Sequence, residues 1–246
     1  MKKITLITVG SVCYDLLRFS IDQCVKHTPD VERVVTVTPA PVYPGAEHVQ
    51  LPENFNRVDY SRFMIKDLVD HVETEYALVF QYDGMAVDHT QWTNDFYNYD
   101  YIGAAWPERF SWLRPDQRVG NGGFSLRSRR LLEALQDPDI TVDGNEDAKI
   151  CQQHKRMLES RYNISYATIE LADKFSNEWN NPNGAVFGFH GIFNFPLYFD
   201  DKTTANLIDK YELNTWYDDQ LQKFLEFCQN KNYIESLLTL ERKLST

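Results

Sequence analysis

Long hydrophobic runs are missing from this sequence. The first apolar stretch, Ile4 to Val9, is far too short for a signal-peptide core or a membrane span, so the expectation is a cytoplasmic protein with no transmembrane segment. Positive charge is scarce as well: 25 Lys and Arg stand against 36 Asp and Glu, a formal net charge of −11. That balance argues against nucleic acid as a partner, because affinity for a phosphate backbone rests on Lys and Arg neutralising it. Any phosphate bound must be met by a local site. The four cysteines, Cys13, Cys24, Cys151 and Cys228, form no C-x-x-C pattern, and buried thiols are expected rather than disulfides or a zinc site. Glycine is limited to 11 residues, and none builds a phosphate loop after the first strand. Gly10-Ser11-Val12-Cys13 is poor in glycine and has no basic residue, which argues against a nucleotidyltransferase built on such a loop. Internal repeats, low-complexity tracts and long linkers are also absent. With 43% hydrophobic and 25% charged residues, 246 residues suffice for one sizeable core.

The patterned segments predict an α/β fold. Ile4 to Val9 is a β-branched run, and apolar residues at 13, 16, 17, 20/21 and 24 then mark one face of a helix. Arg33 to Thr38 reads as a second strand, stopped by Pro39, Pro41 and Pro44. Strand, helix and strand within so short a span require a parallel pair with a crossover helix. Tyr60 to Val72 carries a second helical pattern and feeds Tyr76 to Phe80, a continuous apolar run that reads as a central strand. It ends in Gln81-Tyr82-Asp83-Gly84, beyond the carboxyl end of a strand, where open α/β sheets bind ligands. Three glycines in four residues open Gly120 to Ser128 and permit close backbone approach. A short helix is expected over Arg129 to Leu135, a longer one over Glu146 to Leu158, and a last strand over Val186 to Phe189 leading into His190-Gly191. From Thr203 onward the pattern is helical, with Leu221, Phe224, Leu225 and Cys228 on one face. The expected organisation is a main domain over 1–200 and a small C-terminal helical appendage over 201–246 packed on it.

Four landmarks in order, Gln81-Tyr82-Asp83, Gly120 to Ser128, Asn145-Glu146-Asp147 and Phe189-His190-Gly191, give the chain a resemblance to inverting GT-A glycosyltransferases. It resembles in particular the galactosyltransferase-like lineage and a bacterial family with the same landmarks, over residues 3 to 195. The resemblance implies a GT-A type, mostly parallel central sheet flanked by helices, and transfer of a sugar from a nucleoside-diphosphate donor, uridine diphosphate first, to a hydroxyl of a glycan or other acceptor. It also implies a role in surface polysaccharide synthesis. In that fold an Asp-x-Asp element holds a divalent metal, usually Mn2+ with Mg2+ as the other choice, against the donor diphosphate. Here only Asp83 matches, and His190 matches the late histidine of the metal site. Gln81, in place of the first acid, offers a neutral carbonyl oxygen, which weakens the case for metal dependence. It keeps open an alternative: a nucleotide-sugar-binding module with weak or no catalysis.

The same resemblance draws the catalytic base from Glu146 and Asp147. Inverting transfer needs one carboxylate to take the acceptor hydroxyl's proton, and Asp147 aligns with that base, leaving Glu146 to contact acceptor or donor hydroxyls. Acids in a helix's first turn are also what the helix dipole favours. Asn121 would hydrogen-bond the donor sugar, with Gly122 and Gly123 giving it room and Trp106 stacking on a sugar face. Donor recognition is expected at the strand ends, from Thr8, Val9 and Gly10 on the first and Thr38 on the second. Tyr60, Gln81, Tyr82 and Asp83 complete that wall, and Arg62 is the candidate for the diphosphate because its charged fork fits phosphate oxygens. Acceptor recognition is expected in the loops 107–119 and 173–185.

Overall fold

The computed structural model describes residues 2–111, 113–211 and 216–245; Trp112, expected in the acceptor loop, lies outside the described residues. Strand β1 (Ile4–Val9), rich in β-branched residues, is buried along its whole length, with Thr5 and Thr8 buried beside the apolar residues, because both sheet faces are covered. Helix α1 (Tyr14–His27) buries Leu16, Leu17, Ile21 and Cys24 and returns the chain to β2 (Val31–Thr38), parallel to β1. The next strand, β3 (Glu47–Gln50), adds parallel to β2 at the sheet edge. Its polar Glu-His-Val-Gln sequence gives no strand signal, and pairing with β2 makes it one.

Helix α2 (Arg57–Arg62) starts at Asn56, whose side chain accepts from the amides of Val58 and Asp59 while Asp59 returns the bond to the Asn56 amide. It continues into a wide turn over Phe63–Asp67 and a tight one over Leu68–His71, so the helix expected over 60–72 is present but not uniform. Then come β4 (Tyr76–Phe80), β5 (Gly84–Ala86), β6 (Tyr101–Gly103) and β7 (Phe124–Ser128).

The central sheet runs β3-β2-β1-β4-β7-β6. Strands β3, β2, β1 and β4 are parallel, β7 is antiparallel to β4, and β6 antiparallel to β7. The fold is therefore α/β with a mostly parallel central sheet, as expected. Alternate residues face two cores: Leu6, Leu78, Phe80 and Phe124 point into one, Ile7, Val9, Val37 and Val79 into the other.

Helices α3 (Arg129–Ala134), α4 (Glu146–Ala148), α5 (Lys155–Tyr162) and α6 (Ile169–Phe175) follow β7. Between α4 and α5 the helix opens into a wide turn over Lys149–Gln153, closed by the His154 amide donating to the Lys149 carbonyl at 2.9 Å. The expected single helix from Glu146 is thus interrupted, a pattern frequent at functional sites. Strands β8 (Ser176–Asn177) and β9 (Gly188–His190) join β5 in a second sheet of order β5-β9-β8. The strand expected near Val186 to Phe189 is β9, and it belongs to this small sheet rather than the central one.

Helices α7 (Phe195–Tyr198), α8 (Asp201–Asp209), α9 (Asp218–Lys231) and α10 (Ile234–Leu244) complete the described chain. Leu207, Ile208, Phe224, Cys228 and Leu240 from this end share one core with Leu6 and Phe80. All four cysteines are buried and outside any disulfide. Among the described residues no helix is long and apolar enough to cross a membrane.

Candidate active site

A cleft of about 650 Å³ opens beyond the carboxyl ends of β1 and β4. Val9 and Gly10 bring the end of β1 to it, and Gln81, Tyr82 and Asp83 bring the end of β4. The Gln81 amide donates to the Gly123 carbonyl at 3.0 Å, which ties the β4 end to the glycine segment before β7. The Gln81 side chain donates from Nε2 to the Tyr60 hydroxyl at 2.9 Å, fixing α2 against the same wall.

Gln81 Oε1 is thereby turned toward His190, 3.3 Å from its Nε2. Asp83 Oδ1 lies 3.4 Å from the same nitrogen and, buried, has no hydrogen-bond partner among the described residues. The contact is within ion-pair reach but is not a well-formed hydrogen bond. On the other side of the ring, His190 Nδ1 is 2.9 Å from Glu178 Oε1. Burial opposes the charged imidazolium, yet the Asp83 and Glu178 carboxylates outweigh it and push the His190 pKa well above its ordinary value. A divalent cation would have to displace the Nε2 proton of this ring; the imidazole nitrogen, with the Asp83 carboxylate oxygen and the Gln81 amide oxygen each within 3.4 Å of it, would then be suitable donors, with open positions left for other oxygens. Gln81 is what makes the set three. Among the described residues no three His, Cys, Asp or Glu side chains gather in a metal-holding group.

The glycine segment serves its neighbours more than a ligand. A Cβ on Gly123 would lie 2.1 Å from His190 Nε2, and one on Gly122 would lie 2.3 Å from Glu146 Oε1. Their missing side chains make room for the imidazole and the carboxylate. The space expected for a sugar beside Gly122 is taken by Glu146. Asn121 lines the cleft, but its Oδ1 accepts the Gly123 amide at 3.1 Å, so the side chain shapes the turn.

The acid pair at the start of α4 divides its work. Glu146 is buried and accepts from Arg127 at 3.1 Å, and the Arg127 guanidinium is wholly buried, its Nε donating to Ser125 Oγ at 3.0 Å. Asp147 is half-buried, has no ion pair among the described residues, and accepts from the Ala148 amide at 2.7 Å. Burial, reinforced by the charge of Glu146, raises its pKa from 3.8 to about 7. Arg127 ties one carboxylate in place, and the other, with its pKa raised to about 7, can exchange a proton near neutrality.

Of the residues expected to bind donor or metal, the cleft collects Val9, Gly10, Tyr60, Gln81, Tyr82, Asp83, Asn121, Gly123 and His190 together with both acids. Thr8 and Thr38 are buried behind it, and Thr38 Oγ1 donates to the Ala40 carbonyl at 2.7 Å. Arg62 is exposed outside it; the single Lys or Arg among the lining residues is Arg57, one helical face away on α2. Trp106 reaches the cleft but is mostly buried, its ring filling the space beside Gly120. Sequence reasoning missed Arg57, Arg127 and Glu178. For Arg127 the signal was contrary, since an arginine in a strand ordinarily faces water.

Residues 46–190 match the model of a family described as protein of unknown function (DUF5672), more than half of the chain. The chain belongs to this family. Every cleft residue from Tyr60 to His190 falls within the stretch that defines it as a DUF5672 protein, whereas Val9 and Gly10 precede that stretch. No curated protein matches this DUF5672 chain. Among solved structures it is similar to a mannosyltransferase from Pyrobaculum calidifontis in complex with GDP-Man and Mn2+, at 13% identity over 99% of this chain and 74% of the other, with a TM-score of 0.49. It is also similar to glucosyl-3-phosphoglycerate synthase from Mycobacterium tuberculosis in complex with Mn2+, UDP and glucosyl-3-phosphoglycerate, at 12% identity over 63% of this chain and 66% of the other, with a TM-score of 0.45.

Proposed function

We propose that this protein is a GT-A type glycosyltransferase that moves a sugar from a nucleoside-diphosphate donor, uridine diphosphate first, to a hydroxyl acceptor with inversion. One observation carries the reading: Asp147, with no ion pair among the described residues and a pKa raised to about 7, shares a cleft with the Asp83, His190 and Gln81 donor cluster. Asp147 accepts the acceptor hydroxyl's proton as that oxygen attacks the anomeric carbon. Glu146 stays bound to Arg127 and keeps the start of α4 in place. A divalent cation, Mn2+ or Mg2+, held by Asp83 and His190 with the Gln81 oxygen would offset the negative charge growing on the departing diphosphate. Arg57 takes the diphosphate contact expected of Arg62, because it is the lining residue with a permanent positive charge. Arg109 from one expected acceptor loop and Trp179, Asn180 and Asn181 from the other meet around an adjoining pocket of about 380 Å³, which supports entry of a glycan or other polyhydroxylated acceptor from that side. The resemblance of the sequence supports a role in surface polysaccharide synthesis.

Thermal unfolding with uridine diphosphate, with and without Mn2+, tests the donor site. Ligand at one hundred times its dissociation constant stabilises the fold by about 2.7 kcal/mol. The expected result is a rise in Tm that grows with Mn2+; no shift with any nucleoside diphosphate at millimolar concentration overturns the assignment. The neutral Gln81 oxygen favours a second reading, a binding module without turnover. Donor binding with neither transfer nor donor hydrolysis would select it.

A further inference from the structure

The strands of the small sheet are only two or three residues long, and their register brings three chemically active residues to one end. Strand β8 pairs parallel with β9, Ser176 against Gly188 and Asn177 against Phe189. One step further along both strands stand Glu178 and His190. Strand β5 pairs antiparallel on the other side, Gly84 against His190, which places Asp83 just beyond, its carbonyl accepting the Gly191 amide at 2.9 Å. His190 therefore sits between a carboxylate on each neighbouring strand.

We infer that Glu178 is the positioning residue of the cation site, holding His190 by Nδ1 so that Nε2 faces Asp83 and Gln81. Its Oε1 is 2.9 Å from Nδ1, and the Glu178 side chain is nine-tenths buried, so the bond is shielded from water. The two backbones are clamped by one amide: Asn194 Nδ2 donates to the Glu178 carbonyl at 2.9 Å and to the His190 carbonyl at 2.8 Å. Gly123 leaves the ring the space to lie in this orientation. An imidazole whose Nδ1–H is held by a carboxylate presents the other nitrogen as a directed, more basic donor. Glu178 does this through the imidazole, from its own place on the wall of the cleft.

The inference rests on the reading of Asp83 and His190 as cation ligands, and two measurements on the full chain separate the two. Nitrogen-15-edited NMR of the imidazole reads the Nδ1 proton directly. It is expected as a slowly exchanging downfield resonance in the wild type and in Glu178→Gln, whose amide oxygen still accepts the bond, and it is expected to vanish in Glu178→Ala. Mn2+ titration followed by electron paramagnetic resonance, without nucleotide, is expected to show affinity weakened about 10–100-fold in Glu178→Ala, with Glu178→Gln close to wild type. An Nδ1 resonance that persists in Glu178→Ala, or unchanged Mn2+ affinity in that folded variant, overturns the positioning role. Should the NMR behave as expected while the wild type binds no Mn2+, the cation reading fails and the tether between Glu178 and His190 stands.

Discussion

At the scale of single residues, Asp147 and Glu146 illustrate how two adjacent acids acquire different chemistry. Glu146 turns toward a fully buried guanidinium, and Asp147 is left in the cleft with a pKa of about 7. Asp147→Asn keeps the shape of the side chain and removes its ability to take a proton. Steady-state assays should find turnover reduced ~10²–10⁴-fold with donor binding nearly unchanged. The wild-type rate should rise with pH through an apparent pKa near 7, since the base must be ionised. Stability moves the opposite way. A carboxyl raised above its unfolded value destabilises the fold where the unfolded chain is ionised, so the penalty is absent below about pH 4, grows toward pH 7 and is constant above it. Because the carboxylate is open to the cleft, Asp147→Asn should gain about 2 kcal/mol at pH 8 and nothing at pH 3.5 in denaturant melts. Glu146→Ala should behave differently: it strands Arg127 as an uncompensated buried charge and should lose about 3–5 kcal/mol.

At the scale of elements, the glycine segment and the second sheet act on one another. Gly123 has no Cβ because His190 occupies that place, and His190 is there because β9 pairs with β5 and β8. Gly123→Ala would set a methyl group 2.1 Å from the nitrogen that faces Asp83. The ring must then leave its position. The Mn2+-dependent part of the uridine diphosphate Tm shift should disappear in this variant, with the far-ultraviolet circular dichroism unchanged. A preserved Mn2+ effect would place the cation elsewhere.

At the scale of the whole molecule, the C-terminal helices are continuous with the site. Tyr82 of the cleft lies 6.0 Å from Tyr211, Tyr211 lies 5.8 Å from Trp216, and Trp216 lies 5.4 Å from Phe224 on α9, measured between ring centroids. Phe224 is completely buried in the core that also holds Phe80. Phe224→Ala should lower stability by about 3–5 kcal/mol in urea melts. Truncation after residue 200 should leave a chain that does not fold cooperatively, because the face that Leu207, Phe224 and Leu240 cover would be open to water. A truncated chain with a sharp thermal transition near the wild-type Tm would instead make the helices a dispensable appendage.

The sequence by itself determined the elements whose signal is local. The β-branched Ile4 to Val9, the apolar run Tyr76 to Phe80 and the helical stripe through Leu16 and Ile21 each carry a periodicity that backbone geometry imposes, and their order requires a parallel sheet with ligands at its carboxyl ends. That logic was enough to place Asp83 at a ligand-binding strand end; Asp147 and His190 became candidates through the resemblance to inverting GT-A glycosyltransferases. Only the tertiary structure decided how they are partnered. Strand β3 exists because β2 offers it an edge, and Glu178 faces His190 through a strand register that no local pattern encodes. Arg57 rather than Arg62 enters the cleft because five residues along a helix turn a side chain by roughly 140°, so the two cannot share a face. Arg127 is buried because Glu146, nineteen positions later, neutralises it. Periodicity reports which way a residue points within its own element; which charge meets which depends on contacts between distant segments, and those form only when the chain has folded.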